Sequence, residues 1–482
     1  MKIKIEIKES GKANANTLLF VKKSIQFSAA LSKKALTRAE TILDGMEDGL
    51  FDDLDLLDLD DKPTIFVNAA KERGLTSLDQ LRTAGFRLGK RARKKQMHCV
   101  SLMLADAAPE QVKAIIHGLH YSEYVFDRYK TKKQKSFEVT YEIVAQDNVK
   151  EFSKLAKEVA IEQASITLTR DWINTPGSDL TPVVFVAEAE KIAKETGLKI
   201  KVRDFKALQK EGFNGLVTVG KGSPSLPYLV TLEYKPTKAP KDVHLALVGK
   251  GLTFDTGGMS LKPASGMWEM CCDMSGAAAV LGAIRTIALL KLPIRVSAVL
   301  CLAENRIGSN AVLPGDIFTA KNGKTVMVDN TDAEGRLALS DGLAEAGLLK
   351  ATHIIDLATL TGAMVRALGY AITGFFSNDE NLSTQILESG TSACEKFWPM
   401  PLEEEYADGI KGKFADLQNI GADAGAISAA LFLKEFVPEN TSWSHWDIAG
   451  TAFVTKEWKY TTYGATGIGV QTLVELAKKL GG

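Results

Sequence analysis

The chain has 482 residues, 45% of them hydrophobic, which is enough apolar material for two or three domains and excludes a disordered chain. Lysine plus arginine and aspartate plus glutamate each total 59, so the formal charge of zero gives no whole-chain electrostatic reason to expect nucleic acid or an anionic membrane. Five cysteines without CxxC spacing fit a reducing compartment; with no apolar run near about 18 residues and no signal-peptide core in MKIKIEIKES, the expectation is a cytoplasmic location and no membrane.

KIKIEI and NTLLFV have strand character, and helical and strand-like pieces including TIFVNAA follow to about residue 145. They predict a smaller N-terminal α/β domain over residues 1–148. An acidic run, MEDGLFDDLDLLDLDD, and a basic run, RLGKRARKKQ, lie within it. Such runs read first as solvated faces or an intramolecular charge match, and second as partner surfaces. VKEFSKLAKEVAIEQASITLTRDWINTPGSD places Phe152, Leu155, Ala156 and Val159 at helical spacing before Pro176 and Gly177. This predicts a connecting helix over 149–170.

From residue 171 to 482, β-type apolar runs alternate with helices, as in HLALVGKG, RVSAVLCLAEN, THIIDLATLTG and SWSHWDIAG. The pattern predicts an α/β fold with a mixed, largely parallel sheet covered by helices on both faces. Ligands of such sheets bind beyond the carboxyl ends of the strands. Lys250 and Asp255 after LALVG, Asn305 after VLCLAE, Asp332 and Glu334 after KTVMV, and Thr359 to Gly362 after HIIDLA fall where that rule places them.

VMVDNTDAEGRLALSDG, residues 326–342, crowds Asp329, Asp332, Glu334 and Asp341 around Arg336. Asn330, Asp332, Glu334, Gly335 and Asp341 imitate a calcium loop, but GKTVMVDN alternates like a strand where an EF-hand needs a helix. GLVTVGKG imitates a phosphate-binding loop until Gly222 replaces the required hydroxyl. No HExxH or similar histidine pair supports a histidine zinc site, and His445 between two tryptophans reads as packed and hydrogen-bonded.

In VGKGLTFDTGGMSLKPASGMWEMCCDMSGAAAVLG, residues 248–282, Lys250, Asp255, Lys262 and Asp273 are interleaved with glycines, and a tightly packed helix follows Asp273. The lysines alone can be read as salt-bridge partners of the acids. Four carboxylates, Asp255, Asp273, Asp332 and Glu334, are difficult to bury together without a cation, because like charges at close range cannot all stay ionised. Two divalent metals resolve the repulsion, and an oxygen-rich set without histidine favours Mn²⁺, Mg²⁺ or Zn²⁺.

These segments resemble the leucine aminopeptidase, or cytosol aminopeptidase, family of two-metal exopeptidases. NTDAEGRL at 330–337 is similar to the family signature, and NTPGSDLTP, GKGLTFDTGG, PGDI, ATLTGA, AGAISAALFLKEFV and HWDIAGTA extend the resemblance over residues 170–475. The first third is matched only by position. The resemblance implies that Lys250, Asp255, Asp273 and Glu334 bind one metal, and Asp255, Asp332 and Glu334 the other. It implies that Lys262 polarises the scissile carbonyl and that Arg336 holds a bicarbonate ion as proton acceptor for the attacking water. It also implies that Thr359, Leu360, Thr361 and Gly362 position the peptide, and that Met270 lines an apolar pocket suited to leucine or methionine.

The activity so implied is release of N-terminal residues from peptides by a metal-activated water, and the assembly a homohexamer of two stacked trimers. A lysine ligand must give up its proton; moving its pKa from about 10.4 to below 7 costs roughly 5 kcal/mol, which a neighbouring dication can supply. Cys271 and Cys272 beside Asp273 read as packing or as an oxidation-sensitive pair. Some bacterial relatives bind DNA, so RLGKRARKKQ leaves that role open, and a metal-stabilised protein without chemistry is the competing class.

Overall fold

The computed structural model describes residues 77–103, 107–134, 137–145, 148–421 and 423–482, together with residues 37 and 41 and four strands at 3–9, 17–21, 54–59 and 62–68. The chain divides into two compact units, 1–163 with 457–462, and 164–456 with 463–482. The division falls inside the helix Val149–Asn174, which runs on past residue 170.

The smaller unit carries β1 (Ile3–Glu9), β2 (Thr17–Val21), β3 (Leu54–Leu59), β4 (Lys62–Asn68), β5 (Cys99–Met103) and β6 (Val139–Ala145). They form one sheet in the order β1-β6-β5-β2-β4-β3, parallel except at the β3–β4 edge. Helices Ser77–Lys94 and Pro109–Glu123 pack together and bury Leu88, Ile116 and Leu119 with Val100, Leu102, Tyr141 and Ile143 of the sheet. The basic run lies on the first of these helices and the turn after it, where Arg93 pairs with Glu123 and Lys90 sits over the Phe86 ring. Of the acidic run only 54–59 is described, as β3; the rest lies outside the described residues.

The larger unit carries β7 (Lys199–Arg203), β8 (Tyr228–Tyr234), β9 (His244–Asp255), β10 (Arg295–Asn305), β11 (Ile317–Thr319), β12 (Thr325–Met327), β13 (His353–Ala358), β14 (Thr373–Ser377), β15 (Phe397–Pro399), β16 (Leu417–Gln418), β17 (Ser442–Asp447), β18 (Phe453–Val454) and β19 (Gly464–Ala465). Eight of them form a sheet ordered β15-β14-β17-β13-β9-β10-β8-β7. Its centre, β17-β13-β9-β10, is parallel, and antiparallel pairings flank it at β14–β17, β10–β8 and β8–β7. A small sheet, β11-β12-β16, and the pair β18–β19 complete the strands described.

Two helices cover the central strands, one on each face. Strand side chains alternate between faces. Ala246 and Val248 of β9 share a core with Val299, Cys301 and Ala303 of β10 and with Leu337, Leu339 and Leu343 of the helix Glu334–Leu348. The odd-numbered face of β9 meets the helix Ser275–Leu289 so closely that a β-carbon at Gly249 would run into the Ala277 backbone. The helix reads from its sequence as tightly packed, and all residues from Ser275 to Ala288 are buried.

Met267–Leu289 is long and apolar enough to cross a membrane, although the sequence shows no unbroken apolar run of that length. Its most apolar window is 94% buried inside the fold, where a large sheet demands an apolar cover.

Candidate metal centre

β9 hydrogen-bonds to β13 only as far as the Gly249–Leu357 pair, yet stays paired to β10 through Asp255 and Asn305. Lys250 is therefore the residue at which β9 leaves β13. The β-type run HLALVGKG covers residues 244–251, and β10 carries the strand on to Asp255, with a register shift between Ala303 and Glu304. Lys250 has the parity of Ala246 and Val248, so it points towards the helix Glu334–Leu348. A β-carbon at Gly335 would stand 2.5 Å from Lys250 Cε and 2.7 Å from Nζ, so only glycine lets the lysine pass.

Four chain segments meet here. Lys250 Nζ lies 2.8 Å from Asp273 Oδ1, at the end of the 3₁₀ helix Met267–Met274, and 2.9 Å from Glu334 Oε1, the first residue of its helix. Carboxylate oxygens of Asp255, Asp273 and Glu334 fall within 4.8 Å of one another, and all three residues are buried. Lys262, in the loop after β9, contacts Asp255 Oδ2 at 2.9 Å and Asp332 Oδ1 at 2.5 Å. Asp332 is half-buried and joins the cluster through that lysine rather than by direct approach.

Burial raises the carboxyls of Asp273, Glu334 and Asp332 above the ordinary range, and the charge of Asp255 adds to the effect on each. Burial works to lower both lysines, but neighbouring acids outweigh it and hold Lys250 and Lys262 above their usual value. Asp273 Oδ2 and Glu334 Oε2 are buried and accept no hydrogen bond. Four clustered carboxylates against two ammonium groups, with buried oxygens left over, form a donor set that suits hard divalent cations.

A hydrogen-bond frame fixes these acids. Asn305 Nδ2 donates to Asp255 Oδ1 at 2.8 Å and to Thr331 O at 3.0 Å. Thr331 Oγ1 donates to Gly257 O at 2.6 Å and accepts from Ser260 N at 2.8 Å, which ties the acidic loop to the loop carrying Lys262. Thr359 closes the other side, with Oγ1 donating to Asp273 Oδ1 at 2.7 Å and its carbonyl accepting from Lys250 Nζ at 3.0 Å. Leu360 N and Thr361 Oγ1 donate to Asp447 at 3.2 and 2.7 Å, and Gly362 opens the helix Gly362–Leu368 on the exposed side. Met270 is half-buried on the 3₁₀ helix that ends in Asp273.

Arg336 is buried, with Nε and Nη1 unpaired, and burial lowers it to about 10 against the opposing charges of Glu334 and Asp447. The remaining acids of the crowded stretch belong elsewhere. Asp329 is exposed, and Asp341 is turned into the fold, accepting from Leu216 N at 2.8 Å. With β12 in front of the loop, the calcium-loop reading fails on both counts. GLVTVG forms the helix Asn214–Gly220 rather than a phosphate loop. His445 is buried, bonded through Nδ1 to Asp356 Oδ1 at 2.5 Å and stacked on Phe376. Asn419 frames the centre and carries no motif of its own in the sequence, whereas Thr331 lies within NTDAEGRL and Asp447 within HWDIAGTA.

Residues 167–474 match the catalytic domain of the cytosol aminopeptidase family. The chain belongs to the cytosol aminopeptidase family. A probable cytosol aminopeptidase of Solibacter usitatus is 46% identical over 365 residues, 76% of this chain and 75% of that protein. A probable cytosol aminopeptidase of Aquifex aeolicus is 42% identical over 408 residues, 83% and 82% of the two chains. Among solved structures, a mutant of tomato leucine aminopeptidase aligns with a TM-score of 0.87 and 30% identity over 99% of this chain and 97% of that one. The bottromycin maturation enzyme BotP in complex with Mn aligns with a TM-score of 0.84 and 30% identity, covering 97% and 100%. As a member of the family, the chain is a metal-dependent aminopeptidase, a hydrolase of peptide bonds.

Proposed function

We propose that the protein is a two-metal leucyl-type aminopeptidase of the cytoplasm, with residues 171–482 as its catalytic domain. One observation carries this reading: Asp255, Asp273 and Glu334 bring carboxylate oxygens within 4.8 Å of one another beside two lysines, with buried oxygens still unpaired. Lys250, Asp255, Asp273 and Glu334 would hold one divalent ion, and Asp255, Asp332 and Glu334 a second; Mn²⁺, Zn²⁺ and Mg²⁺ suit the donors. Bound there, such ions supply Lewis acidity and make a water a usable nucleophile near neutral pH.

The chain's own residues supply the rest. Lys262, kept as an ammonium by Asp255 and Glu334 against the effect of burial, donates to the carbonyl oxygen where negative charge grows. Arg336 would hold the anion, because its unpaired buried N–H groups would suit a bicarbonate ion, which would supply a proton acceptor beside the metals. Thr359, Leu360, Thr361 and Gly362 position the peptide, with Thr359 fixed on Asp273 and the next two residues on Asp447. Met270 lines the pocket of the first side chain, and leucine and methionine fit its apolar character. The resemblance supports a homohexamer of two stacked trimers as the working assembly, and the names of the relatives support the cytosol. Leucine 4-nitroanilide and its N-acetylated form test the exopeptidase reading: turnover is expected only with the free amine, and equal turnover of both contradicts it.

A further inference from the structure

The geometry points to Asn419 as the positioning residue that sets the acidic loop 329–333 for metal binding. The inference rests on the metallopeptidase reading and adds to it a residue from a distant part of the chain.

β16 lies parallel on β12, with Val326 opposite Leu417 and Met327 opposite Gln418. Asn419 N continues this ladder by donating to Met327 O at 3.1 Å, so its side chain arrives where β12 ends and the loop begins. The side chain is fully buried. Oδ1 accepts from Asp329 N at 2.8 Å and Asn330 N at 3.1 Å, and Nδ2 donates to Asn330 O at 2.7 Å and Ala333 O at 3.3 Å. One carboxamide thereby makes four bonds, its full capacity.

The loop has no regular ladder of its own, so its shape depends on such partners. Thr331 N and O go to Ser260 Oγ and Asn305 Nδ2, and Asp332 N goes to Asn330 Oδ1. Asn419 takes both ends, Asp329–Asn330 at the entry and Ala333 at the exit. Asp332 stands between these ends and Glu334 immediately follows, so the angle at which both acids leave the loop is set by the amide of Asn419. Ala333 is the N-cap of the helix that begins at Glu334, and Asn419 Nδ2 donates to its carbonyl, which ties the start of that helix to the clamp. The chemistry requires an amide: two donors and two acceptors face the residue, and an aspartate would set a carboxylate oxygen against Asn330 O and Ala333 O.

The test is titration of metal-stripped, full-length protein with Mn²⁺ alone, for the wild type, Asn419→Asp and Asn419→Ser, with the folded fraction fixed by thermal melting. Outer-shell partners of metal ligands typically contribute about 10–100-fold in metal affinity, and that loss is expected for the folded fraction of both variants. Affinity equal to the wild type in folded Asn419→Asp and Asn419→Ser overturns the inference, because a purely structural role lowers the melting temperature and leaves the affinity of folded molecules alone. Absence of Mn²⁺ binding by the wild type instead overturns the metallopeptidase reading on which the inference stands. Amide exchange on the metal-free wild type decides the matter without a variant: slow exchange is expected at Asp329, although its side chain is exposed, and at Asn330, and fast exchange at both contradicts the clamp.

Discussion

Lys250 Nζ lies 2.8 Å from Asp273 Oδ1, and both side chains are buried. In the metal-free protein this ammonium is the charge that allows Asp273 and Glu334 to share one pocket. Removing one partner of a buried ion pair typically costs about 3–5 kcal/mol, because the other is left uncompensated. Lys250→Met is expected to lower the stability of metal-stripped protein by about that amount in urea unfolding. An unchanged unfolding midpoint in the metal-stripped variant would remove that role.

Asp447 gives a prediction about substrate rather than metal. It receives Leu360 N, Thr361 Oγ1 and Ala449 N, and so anchors the loop that holds Thr359 against Asp273. Asp447→Asn turns a donor towards these donors. Charge-assisted hydrogen bonds contribute about 1.5–3 kcal/mol, so kcat/KM is expected to fall roughly ten- to hundredfold with Mn²⁺ affinity unchanged. Loss of metal affinity in the same proportion would remove the loop-anchoring role.

Asp341 makes stability depend on pH. Burial pushes its carboxyl up to about 7, against the bonds it accepts from the Leu216 and Gly215 amides. The folded value lies above the unfolded one of about 3.9, so the folded state binds more protons between them. The contribution is fully present below about pH 4 and is lost as pH rises through 7, with a slope of at most about 1.4 kcal/mol per pH unit. Asp341→Asn removes this titration, so its stability relative to the wild type should improve from about pH 5 to about pH 7 and then level off. Urea unfolding across that range checks it, and a constant difference is the contrary result.

Cys271 and Cys272 are buried, and burial raises both thiols, Cys271 to about 11. The thiolate is the reactive form, so both are expected to oxidise slowly. Peroxide should inactivate the wild type and Cys271→Ala/Cys272→Ala at the same rate; faster loss in the wild type would identify them as an oxidation-sensitive pair.

The acids and lysines of the centre are legible because they lie in two short segments at strand ends, where local pattern and the strand-end rule agree. The full extent of β9 is not: HLALVGKG marks its first part, and only pairing with β10 carries it on to Asp255. Asp341 is grouped with Glu334 by its position in the crowded stretch. Seven residues along a helix is roughly 10 Å, and Asp341 ends up against the helix Asn214–Gly220 instead. Asn419 escapes for the opposite reason. Its partners lie far back in the chain, 90 and 89 residues for Asp329 and Asn330, so nothing local marks it as part of the frame.

The central claim is that the clustered acids perform metal-dependent aminopeptidase chemistry. It is tested most directly by hydrolysis of leucine 4-nitroanilide with metal-stripped protein refilled with Mn²⁺ or Zn²⁺, beside Glu334→Gln treated in the same way. The account predicts no turnover without metal, recovery on refilling, and no recovery in Glu334→Gln. Metal binding by the wild type without turnover of this or other aminoacyl substrates, or full recovery in Glu334→Gln, would contradict it.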